Sequence, residues 1–398
     1  MLAQNLGPPV VVIGGGFGGA ACARALLKAD PRLTVTLVEA NSTYTAMPHS
    51  NAVIGGLAEL SEQQFGYDKI KATGIDVALS AATAIDPDKR VVTLADGGQL
   101  SYERLVMSPG ISFKTSAIQG YDKAAQTAMP AAFNDGAEIM ALRRQIEAME
   151  DGGTVVIAAP VLPARCPPAP YERASLIANY LKNLKPKSKV ILLDAKDSYP
   201  MQKLFEAAWA ELYPGLLEWV GLSQGGALTK IDVATKTLST DFDEYKATVA
   251  NIIPPQQASA TAALAGVADR SGWCPVDPVT FESKLKPGIH IIGDAAVVGT
   301  MPRAASAAQA QASICANAIA ALLTGKTPVR PTIAASCYSM VAPDYAISQK
   351  GSYHVQDDQY LEADSPVASA LNAPRSARKA EAGEALAWYR SITTAVFG

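Results

Sequence analysis

The chain has 398 residues, more than one hydrophobic core usually organises, so two or three domains are expected. Hydrophobic residues make up 49% and charged residues 18%, which is typical of a globular protein and excludes a disordered chain. The formal net charge of −3 argues against a nucleic-acid partner, and no apolar run approaches the ~20 residues of a membrane span.

The five cysteines and three histidines are too few and too scattered for a disulfide scaffold or a metal site. The odd number of cysteines leaves at least one free thiol, and composition cannot say which two of them pair. The chain does not open with the basic and apolar regions of a secretory signal. This is expected of a cytoplasmic protein and equally of a mature exported one.

The first 40 residues predict a strand, a glycine turn, a helix and a second strand. Val10–Ile13 is a continuous β-branched run, as expected for a strand buried on both faces. Ala20–Ala29 is rich in helix formers and ends before Asp30-Pro31. Leu33–Glu39 is the second apolar run, and it ends in an acidic residue.

Further short strands and one helix are predicted before a second unit of the same kind. The strands are 75–79, 91–93 and the run before Pro109-Gly110, and the helix is 137–150. The second unit comprises a strand at 154–159, a proline-rich loop at 160–170, a helix from Tyr171 to about Leu184 and a strand at 189–194. A strand ending in Gly293-Asp294, a helix at 305–323 and a C-terminal segment of about 70 residues follow.

The glycine turn matches the G-x-G-x-x-G pattern, with Gly14, Gly16 and Gly19 at the defining positions. The first glycine permits the tight turn, the second lets a pyrophosphate approach the backbone, and the third lets helix and strand pack closely. Glu39 follows Gly19 by 20 residues and ends the second strand, where it can accept from ribose hydroxyls. With strand, helix, strand and acid in register, the pattern predicts a dinucleotide site.

Gly293-Asp294 favours FAD over NAD as that dinucleotide. The pair follows an apolar strand and precedes a helix, which places the carboxylate beside a ribityl chain. It also directs a helix dipole at the flavin pyrimidine, where reduced flavin gathers negative charge. The alternative is an N-cap aspartate without a ligand.

The second unit lacks the glycines of a nucleotide-binding loop. Its first strand runs into Ala159-Pro160-Val161-Leu162-Pro163, and proline has no N–H to offer a phosphate. We therefore predict that this half binds no nicotinamide nucleotide. Electrons then come from a small substrate and leave to an acceptor other than NAD.

Two cysteines stand in loop or linker contexts. Cys166 lies in the proline-rich loop, where Arg165 is expected to favour its thiolate, and Cys337 follows the linker at 328–331. For each of them a buried structural cysteine is an equal alternative. Cys22 and Cys315, on apolar helices, fit the structural reading best, whereas Cys274 is ambiguous.

Several stretches along the chain match one known family. They are Gly14–Ala20, Tyr44 with Ser50-Asn51, Val53–Gly56, Arg165–Pro168, Pro170–Ala174, Ile253–Gln256, Gly272–Asp277, Gly293–Ala295, Cys337–Ser339 and Phe397-Gly398. With these stretches, the sequence resembles the flavoprotein subunit of flavocytochrome c sulfide dehydrogenase over nearly its whole length; the family includes the monomeric flavoprotein of the sulfur-oxidation system.

The resemblance implies an α/β fold of two Rossmann-like three-layer domains plus a C-terminal interface domain, as in disulfide-oxidoreductase-like flavoproteins. The expected boundaries are 1–114 with 256–327 for a discontinuous FAD-binding domain, 115–255 for the second domain and 328–398 for the last.

The resemblance also implies site residues and partners. Cys166 and Cys337 correspond to a redox-active disulfide beside the flavin, and Glu172 to a carboxylate that accepts a proton; a helix-start carboxylate is its alternative. A c-type cytochrome is the expected electron acceptor, and the periplasm the expected location. Trp388 and Tyr389 either approach the site or belong to the core. The predicted FAD-binding residues are Gly14, Gly16, Gly19, Glu39, Asn51, Gly110 and Asp294.

One residue departs from the family pattern. Where the family has Tyr-x-x-Cys-x-x-Ser-Asn, with the cysteine bonded to the flavin 8α-methyl group, this chain has Met47. A thioether that already carries a methyl group cannot form that bond, so non-covalent FAD is predicted. Two other functions stay open: a sulfide:quinone reductase at a membrane surface, which the charged tail at 376–384 disfavours, and an electron-transfer subunit inactive without its partner.

Overall fold

The computed structural model describes residues 7–398, and its first layer is a parallel sheet of five strands. The central strand is a run of valines and isoleucine with almost no exposure, which is possible because both faces of the sheet are covered. Four strands come from the first 107 residues and one from beyond residue 288. Their order is Ile289–Ile291, Arg104–Met107, Pro9–Ile13, Thr34–Glu39, Asp76–Leu79.

Helices and a small antiparallel sheet cover the two faces of this first sheet. Phe17–Ala29 packs closely on Ala305–Leu323, because both helices present alanine, glycine and cysteine at their contact. The small sheet contributes Ile85, Val92 and Leu94 to the same core. Its strands are Ala82–Asp86, Val91–Leu94, Gln99–Ser101.

The second parallel sheet has four strands and forms the centre of the other half. One face is covered by three helices, Gly136–Ala148, Ala169–Leu184 and Gln202–Leu212. The other face packs on the segment 118–129 and on the antiparallel strands Lys230–Asp232, Thr237–Ser239, Glu244–Lys246. The sheet order is Leu217–Val220, Lys189–Asp194, Thr154–Ala159, Val249–Ile252.

The C-terminal region is an antiparallel sheet backed by one long helix. Thr332–Ala342 and Tyr345–Gln356 form a hairpin, and Gln359–Glu362 and Val367–Ala368 pair with its second strand. The helix Arg375–Phe397 packs on this hairpin and reaches Phe17–Ala29 of the first half. Its last turns bury Tyr389, Ile392, Val396 and Phe397.

Short elements connect these layers. Three further pairs of strands are Tyr44–Thr45 with Gln64–Phe65, Ile111–Phe113 with Gln256–Ala258, and Cys274–Pro275 with Ala296–Val297. The short α-helices are Ser50–Ile54, Asp68–Lys71, Lys123–Ala128, Thr261–Leu264. Single 3₁₀ turns span Leu60–Gln63, Thr115–Ala117, Leu222–Gln224, Gly293–Ala295.

The predicted α/β class with two parallel-sheet halves is confirmed, whereas several predicted boundaries are wrong by a few residues. The first helix begins at Phe17 rather than Ala20, because Gly18 and Gly19 adopt helical backbone. The helix after the proline-rich loop begins at Ala169 rather than Tyr171, with Pro170 in its first turn, where its missing N–H removes no hydrogen bond. The domain boundaries themselves stay a prediction.

Candidate functional site

One elongated cavity of about 430 Å³ connects the glycine loop of the first half with the two cysteines predicted to react. Its volume lies in the range of cofactor sites. Nine of the ten predicted site residues line it: Gly14, Gly16, Glu39, Asn51, Gly110, Cys166, Glu172, Asp294, Cys337. Gly19 does not line it and lies behind the loop.

Two glycines of the loop, Gly14 and Gly19, lie where there is no room for a side chain. Gly14 has φ +98°, and a Cβ there would lie 2.3 Å from the Ser108 carbonyl oxygen. A Cβ on Gly19 would lie 1.8 Å from the Gly14 carbonyl oxygen, so only glycine lets the helix start this close to the strand.

The helix Phe17–Ala29 begins inside the cavity, and no side chain caps its first turn at Gly16. Uncapped N–H groups with the positive end of a helix dipole suit a phosphate group. The loop therefore fits the pyrophosphate of a dinucleotide, which is the group the sequence predicts there.

Glu39 lies beside this loop and is held by backbone donors. The Gly15 N–H donates to its Oε2 at 2.7 Å, and the Asn41 N–H donates to its Oε1 at 3.0 Å. Each carboxylate oxygen has further lone pairs, and the side chain lines the cavity. Glu39 can thus accept from ribose hydroxyl groups, as predicted.

Asp294 lies between the glycine loop and the cysteines. It follows the strand Ile289–Ile291, and its Oδ2 accepts from Arg165 Nε at 2.7 Å. Gly110, at φ +68°, lets Arg165 lie close, because a Cβ there would be 3.3 Å from Arg165 Nη2. The helix that follows begins at Ala305, and Ala304, Ala305 and Ala308 line the cavity.

The loop carrying Cys166 is fixed to the first half by its backbone. Cys166 has φ +44°, and its N–H donates to the Arg303 carbonyl oxygen at 2.7 Å. The preceding N–H, of Arg165, donates to Gln256 Oε1 at 2.7 Å. A left-handed backbone at a non-glycine residue costs about 1–3 kcal/mol and marks a position that the surroundings impose.

Arg165 favours the Cys166 thiolate as expected, but burial and the neighbouring charges outweigh its effect. Burial, and then the charges of Cys337, Glu172 and Asp294, raise the pKa of Cys166 well above its ordinary value. The Arg165 guanidinium lowers this pKa by less, because it is paired with Asp294. The cysteine is therefore a neutral thiol at neutral pH when reduced.

Cys337 lines the same end of the cavity from the hairpin strand Thr332–Ala342. Both cysteines are half-buried free thiols in this structure, so the disulfide between them stays a prediction. Burial, and then the Glu172 carboxylate, raises the pKa of Cys337 to about 11. Cys22, Cys274 and Cys315 are fully buried in the first core, which is the structural position expected of Cys22 and Cys315.

Glu172 projects from the first turn of Ala169–Leu184 into this end of the cavity. Its Oε2 accepts from Asn51 Nδ2 at 2.7 Å, and its Oε1 accepts from the Met340 N–H at 2.7 Å. Burial raises the pKa of Glu172 to about 7, although these two hydrogen bonds and Arg173 oppose that rise. A carboxyl group that titrates near neutral pH is suited to accept and release a proton.

Asn51 was predicted to bind the cofactor, and the structure shows its amide engaged within the protein. Besides Glu172, its Nδ2 donates to the Ala169 carbonyl oxygen at 3.1 Å, and its Oδ1 accepts from Arg173 Nε at 2.9 Å. Its side-chain amide holds Glu172, and its contact with the cofactor stays a prediction. Sequence reasoning missed Arg173, for which the available signal was an arginine on the buried face of an apolar helix.

Aromatic side chains close the cavity on the C-terminal side. Trp388 and Tyr389 both line it, and Trp388 lies 5.9 Å from the Tyr338 ring. The Tyr389 hydroxyl donates to the Glu62 carbonyl oxygen at 3.0 Å, so this ring also joins the helix to the core. Tyr389 thus has both of the roles considered for it: it lines the site and it belongs to the core.

In the second half, the place that corresponds to the surroundings of Glu39 is filled by side chains of that half. Asp194 ends the strand that corresponds to Thr34–Glu39, and it is fully buried. It accepts from the Tyr171 hydroxyl at 2.5 Å, from Trp219 Nε1 at 3.1 Å and from Lys196 Nζ. Lys196 also donates to the Pro160 carbonyl oxygen, which ties the proline-rich loop to the strand end.

Among residues 7–398, no three histidine, cysteine or acidic side chains come together as metal ligands. Within the same range, no helix has the length and apolarity that crossing a membrane requires.

Family models match three parts of the chain. The central region of the flavoprotein chain of sulfide dehydrogenase (flavocytochrome c) matches residues 139–254, and the flavin-binding region of flavocytochrome c sulphide dehydrogenase matches residues 329–397. Residues 8–142 match the pyridine nucleotide-disulphide oxidoreductase model. The flavoprotein chain of sulfide dehydrogenase (flavocytochrome c) from Chlorobaculum thiosulfatiphilum is 57% identical over 44 residues, 11% of this chain and 92% of that sequence. These matches confirm the predicted resemblance to the flavocytochrome c sulfide dehydrogenase flavoprotein family.

Sulfide:quinone oxidoreductases are also similar to this chain. The mitochondrial sulfide:quinone oxidoreductase of Mus musculus is 23% identical over 334 residues, covering 81% of this chain and 72% of the mouse protein. The sulfide:quinone oxidoreductase structure from Aquifex aeolicus has a TM-score of 0.77 and 17% identity, and it covers 98% of this chain and 92% of its own. The structural likeness confirms the fold, and the family makes the chain a flavoprotein oxidoreductase.

Proposed function

We propose that the chain is an FAD-dependent sulfide dehydrogenase that reacts through Cys166 and Cys337 and passes electrons to a c-type cytochrome. The observation that carries the proposal is the composition of the cavity. Its glycine-loop end fits a pyrophosphate, and its other end contains two cysteines and a carboxyl group with a pKa of about 7. Bound FAD would take up two electrons at this second end and release them singly.

In the proposed reaction, Cys166 and Cys337 begin as a disulfide. Hydrosulfide attacks one sulfur, the S–S bond breaks, and the products are a cysteine persulfide and a thiolate. A second hydrosulfide takes the outer sulfur away as a disulfane anion. The two cysteines then return to the disulfide as two electrons leave, so two hydrosulfide ions give one disulfane anion, one proton and two electrons.

Glu172 is the proposed acceptor of that proton. It lies at the same end of the cavity as both cysteines, and its negative charge raises the pKa of each of them. Because its own pKa is about 7, it is partly ionised at neutral pH and can take the proton that the cysteine pair releases when the disulfide re-forms. Asn51 and the Met340 N–H hold the carboxylate in place during the transfer.

The test is anaerobic stopped-flow spectroscopy of the flavin absorption band after mixing with sulfide. We expect bleaching in the natural protein and a loss of at least about 1,000-fold in its rate in Cys166→Ser and Cys337→Ser, as for removal of a nucleophile. Cys274→Ser, at a buried cysteine outside the cavity, is the matched control and should react normally. Bleaching that survives both cavity substitutions would reject the cysteine mechanism, and no bleaching in the natural chain would favour a subunit inactive without its partner.

The electron acceptor is the second part of the proposal. The family match supports a c-type cytochrome, and the similarity to sulfide:quinone oxidoreductases favours a quinone as the alternative. The sulfide-reduced protein, mixed separately with cytochrome c and with a short-chain quinone, should be reoxidised faster by the cytochrome. Faster reoxidation by the quinone would reverse this assignment.

Non-covalent FAD is the third part, because Met47 lines the cavity where the family pattern has its bonding cysteine. Acid precipitation should leave all flavin in the supernatant. In Met47→Cys, the flavin should remain with the precipitated protein. Flavin precipitating with the natural chain would overturn this prediction. A periplasmic location is proposed from the family alone, and fractionation of the native cells tests it.

A further inference from the structure

Arg173 is among the largest fully buried side chains of the described molecule, with 1% of its surface exposed. Its Nη1 donates to the Ala131 carbonyl oxygen at 2.7 Å and to Asn251 Oδ1 at 2.9 Å, and its Nη2 donates to the Ala132 carbonyl oxygen at 2.6 Å. Its Nε donates to Asn51 Oδ1 at 2.9 Å. Every acceptor in this set is a neutral amide.

Within residues 7–398, no carboxylate oxygen makes a hydrogen bond or a salt bridge with this guanidinium. A buried charge without a paired counter-charge is costly, and arginine keeps its proton even there. Packing alone does not require such a group, because a neutral side chain could fill the same space between helix and loop. The energetic cost of burying the Arg173 charge therefore indicates that this charge has a function.

The contact with Asn51 shows what that use is. Because Asn51 Oδ1 accepts from Arg173, its Nδ2 must point the other way, and there it donates to Glu172 Oε2. Arg173 and Glu172 are neighbours on the helix Ala169–Leu184, yet they communicate through a residue of the first half. Asn251, which donates to the Pro130 and Ala131 carbonyl oxygens, holds the guanidinium from the opposite side.

We propose that Arg173 is a positioning residue for Glu172: it holds the Asn51 amide in the donating orientation and supplies the buried positive charge that lets the carboxylate ionise. This inference rests on the proposed function, because it explains how the proton acceptor of that reaction is held ready. The negative charge that gathers on Glu172 and the reduced cysteines then has a fixed partner inside the protein.

Several charged or titratable groups surround this pair. Cys166 and Cys337 face Glu172 from the proline-rich loop and the hairpin, and Asp294 and Arg165 act on Cys166. Glu138 of the helix Gly136–Ala148 lies on the other side of Arg173 and is anchored by the Ala132 N–H at 2.9 Å. The positive charge of Arg173 opposes the rise in the pKa of Glu172 that burial causes.

The experiment is an infrared pH titration of the FAD-loaded protein without sulfide. The carboxylic acid C=O band of Glu172 is identified by its loss in Glu172→Gln, and its midpoint is compared in two variants. Arg173→Gln, which is neutral and can still donate, should raise the midpoint by about one pH unit or more. Arg173→Lys keeps the charge and should stay within about half a pH unit of the natural protein.

Two outcomes would overturn the proposal: an unchanged midpoint in Arg173→Gln, or equal shifts in both variants, which would assign the effect to disturbed packing. Arg378→Gln controls for the loss of a buried guanidinium, because Arg378 is 2% exposed and lies outside the cavity. It should not move the midpoint. If Arg173→Gln fails to fold, Asn51→Ala is measured instead. It removes the donor through which Arg173 acts on Glu172, so the midpoint should rise, and an unchanged midpoint would overturn the proposal.

The titration also separates this inference from the proposed function. If sulfide does not bleach the flavin of the natural protein, the proposed function fails, while the midpoint shifts can still be observed. If sulfide bleaches the flavin normally and the midpoint does not respond to Arg173, the inference alone fails. In the double variant Glu172→Gln with Arg173→Gln, the second substitution should cause no further change in the pH profile of flavin reduction.

Discussion

The two parallel sheets of this protein carry the same strand–loop–helix–strand unit, and only the first keeps a place for a nucleotide. In the first unit, Gly14–Gly16 leave backbone N–H groups and an uncapped helix start facing a cavity. In the second, the loop contains Pro160 and Pro163, and its acid is buried under three side-chain donors. The shared topology therefore does not decide binding, since both units have it.

The comparison also shows what the second half contributes instead of a nucleotide site. The helix Ala169–Leu184 occupies the position equivalent to the phosphate-binding helix, and its first turn presents Glu172 to the cavity of the other half. The loop before it presents Cys166 to the same place. The second half thus supplies two of the side chains on which the proposed reaction depends.

Of the substitutions that test this comparison, Gly14→Ala is expected to have the largest effect on stability and on FAD binding. A Cβ there meets the Ser108 carbonyl oxygen at 2.3 Å in addition to the strain of φ +98°, so we expect a loss of about 3 kcal/mol or more in the free energy of unfolding. Most of the bound FAD should be lost as well. Gly152→Ala has nearly the same φ, +99°, with no atom within 4 Å, and should cost about 1–2 kcal/mol and leave FAD bound.

The measurements for this pair are denaturant unfolding and the ratio of flavin to protein absorbance after gel filtration. Equal flavin loss in both glycine variants would show that the glycine loop of the first half does not hold the FAD.

The substitution Asp194→Asn is expected to have the second-largest effect on stability. It leaves Lys196, which is mostly buried, without its counter-charge, so we expect a loss of about 3 kcal/mol in the free energy of unfolding. Asp197→Asn, at an exposed carboxylate three residues further on, should cost less than about 1 kcal/mol. Adding Lys196→Met to Asp194→Asn should restore part of the stability, and a further loss would contradict the pairing.

The pH dependence of stability tests the raised pKa of Glu172, the carboxyl group that the second half supplies to the cavity. The pKa of Glu172 is raised from 4.5 to about 7 in the folded protein, so its contribution is fully present below pH 4.5 and is lost as the pH rises through 7. Relative to Glu172→Gln, the natural protein should therefore lose about 3 kcal/mol of unfolding free energy between pH 5 and pH 8. Denaturant unfolding over this range measures the difference, which the exposed Glu384→Gln should leave unchanged.

The smallest effect is expected in the proline-rich loop of the second half. Leu162 is 55% exposed, so Leu162→Ala should change the free energy of unfolding by less than about 0.5 kcal/mol and should not change FAD content. Neither this variant nor the natural protein should bleach on anaerobic addition of NADH. Bleaching by NADH would mean that the second half still binds a nicotinamide nucleotide, and the comparison would fail.

Much of the fold follows from local patterns. The strands at 154–159 and 189–194 and the helix at 305–323 have the predicted bounds, because continuous apolar runs and helix-forming stretches act over few residues. Boundaries that depend on packing were missed at two helix starts, where Gly18, Gly19 and Pro170 have low helix propensity and yet lie in a buried first turn.

Local sequence patterns predicted the dinucleotide loop and its absence from the second half, and the resemblance indicated Cys166, Cys337 and Glu172 as site residues. These conclusions rest on residue types at short spacing, where backbone geometry leaves few alternatives. The packing of the whole chain was needed to pair Arg165 with Asp294 and to bring Glu172 to Asn51 and the Met340 N–H. These partners are 129, 121 and 168 residues apart, so only packing brings them together, and the burial that packing creates sets the pKa values on which the proposed reaction depends.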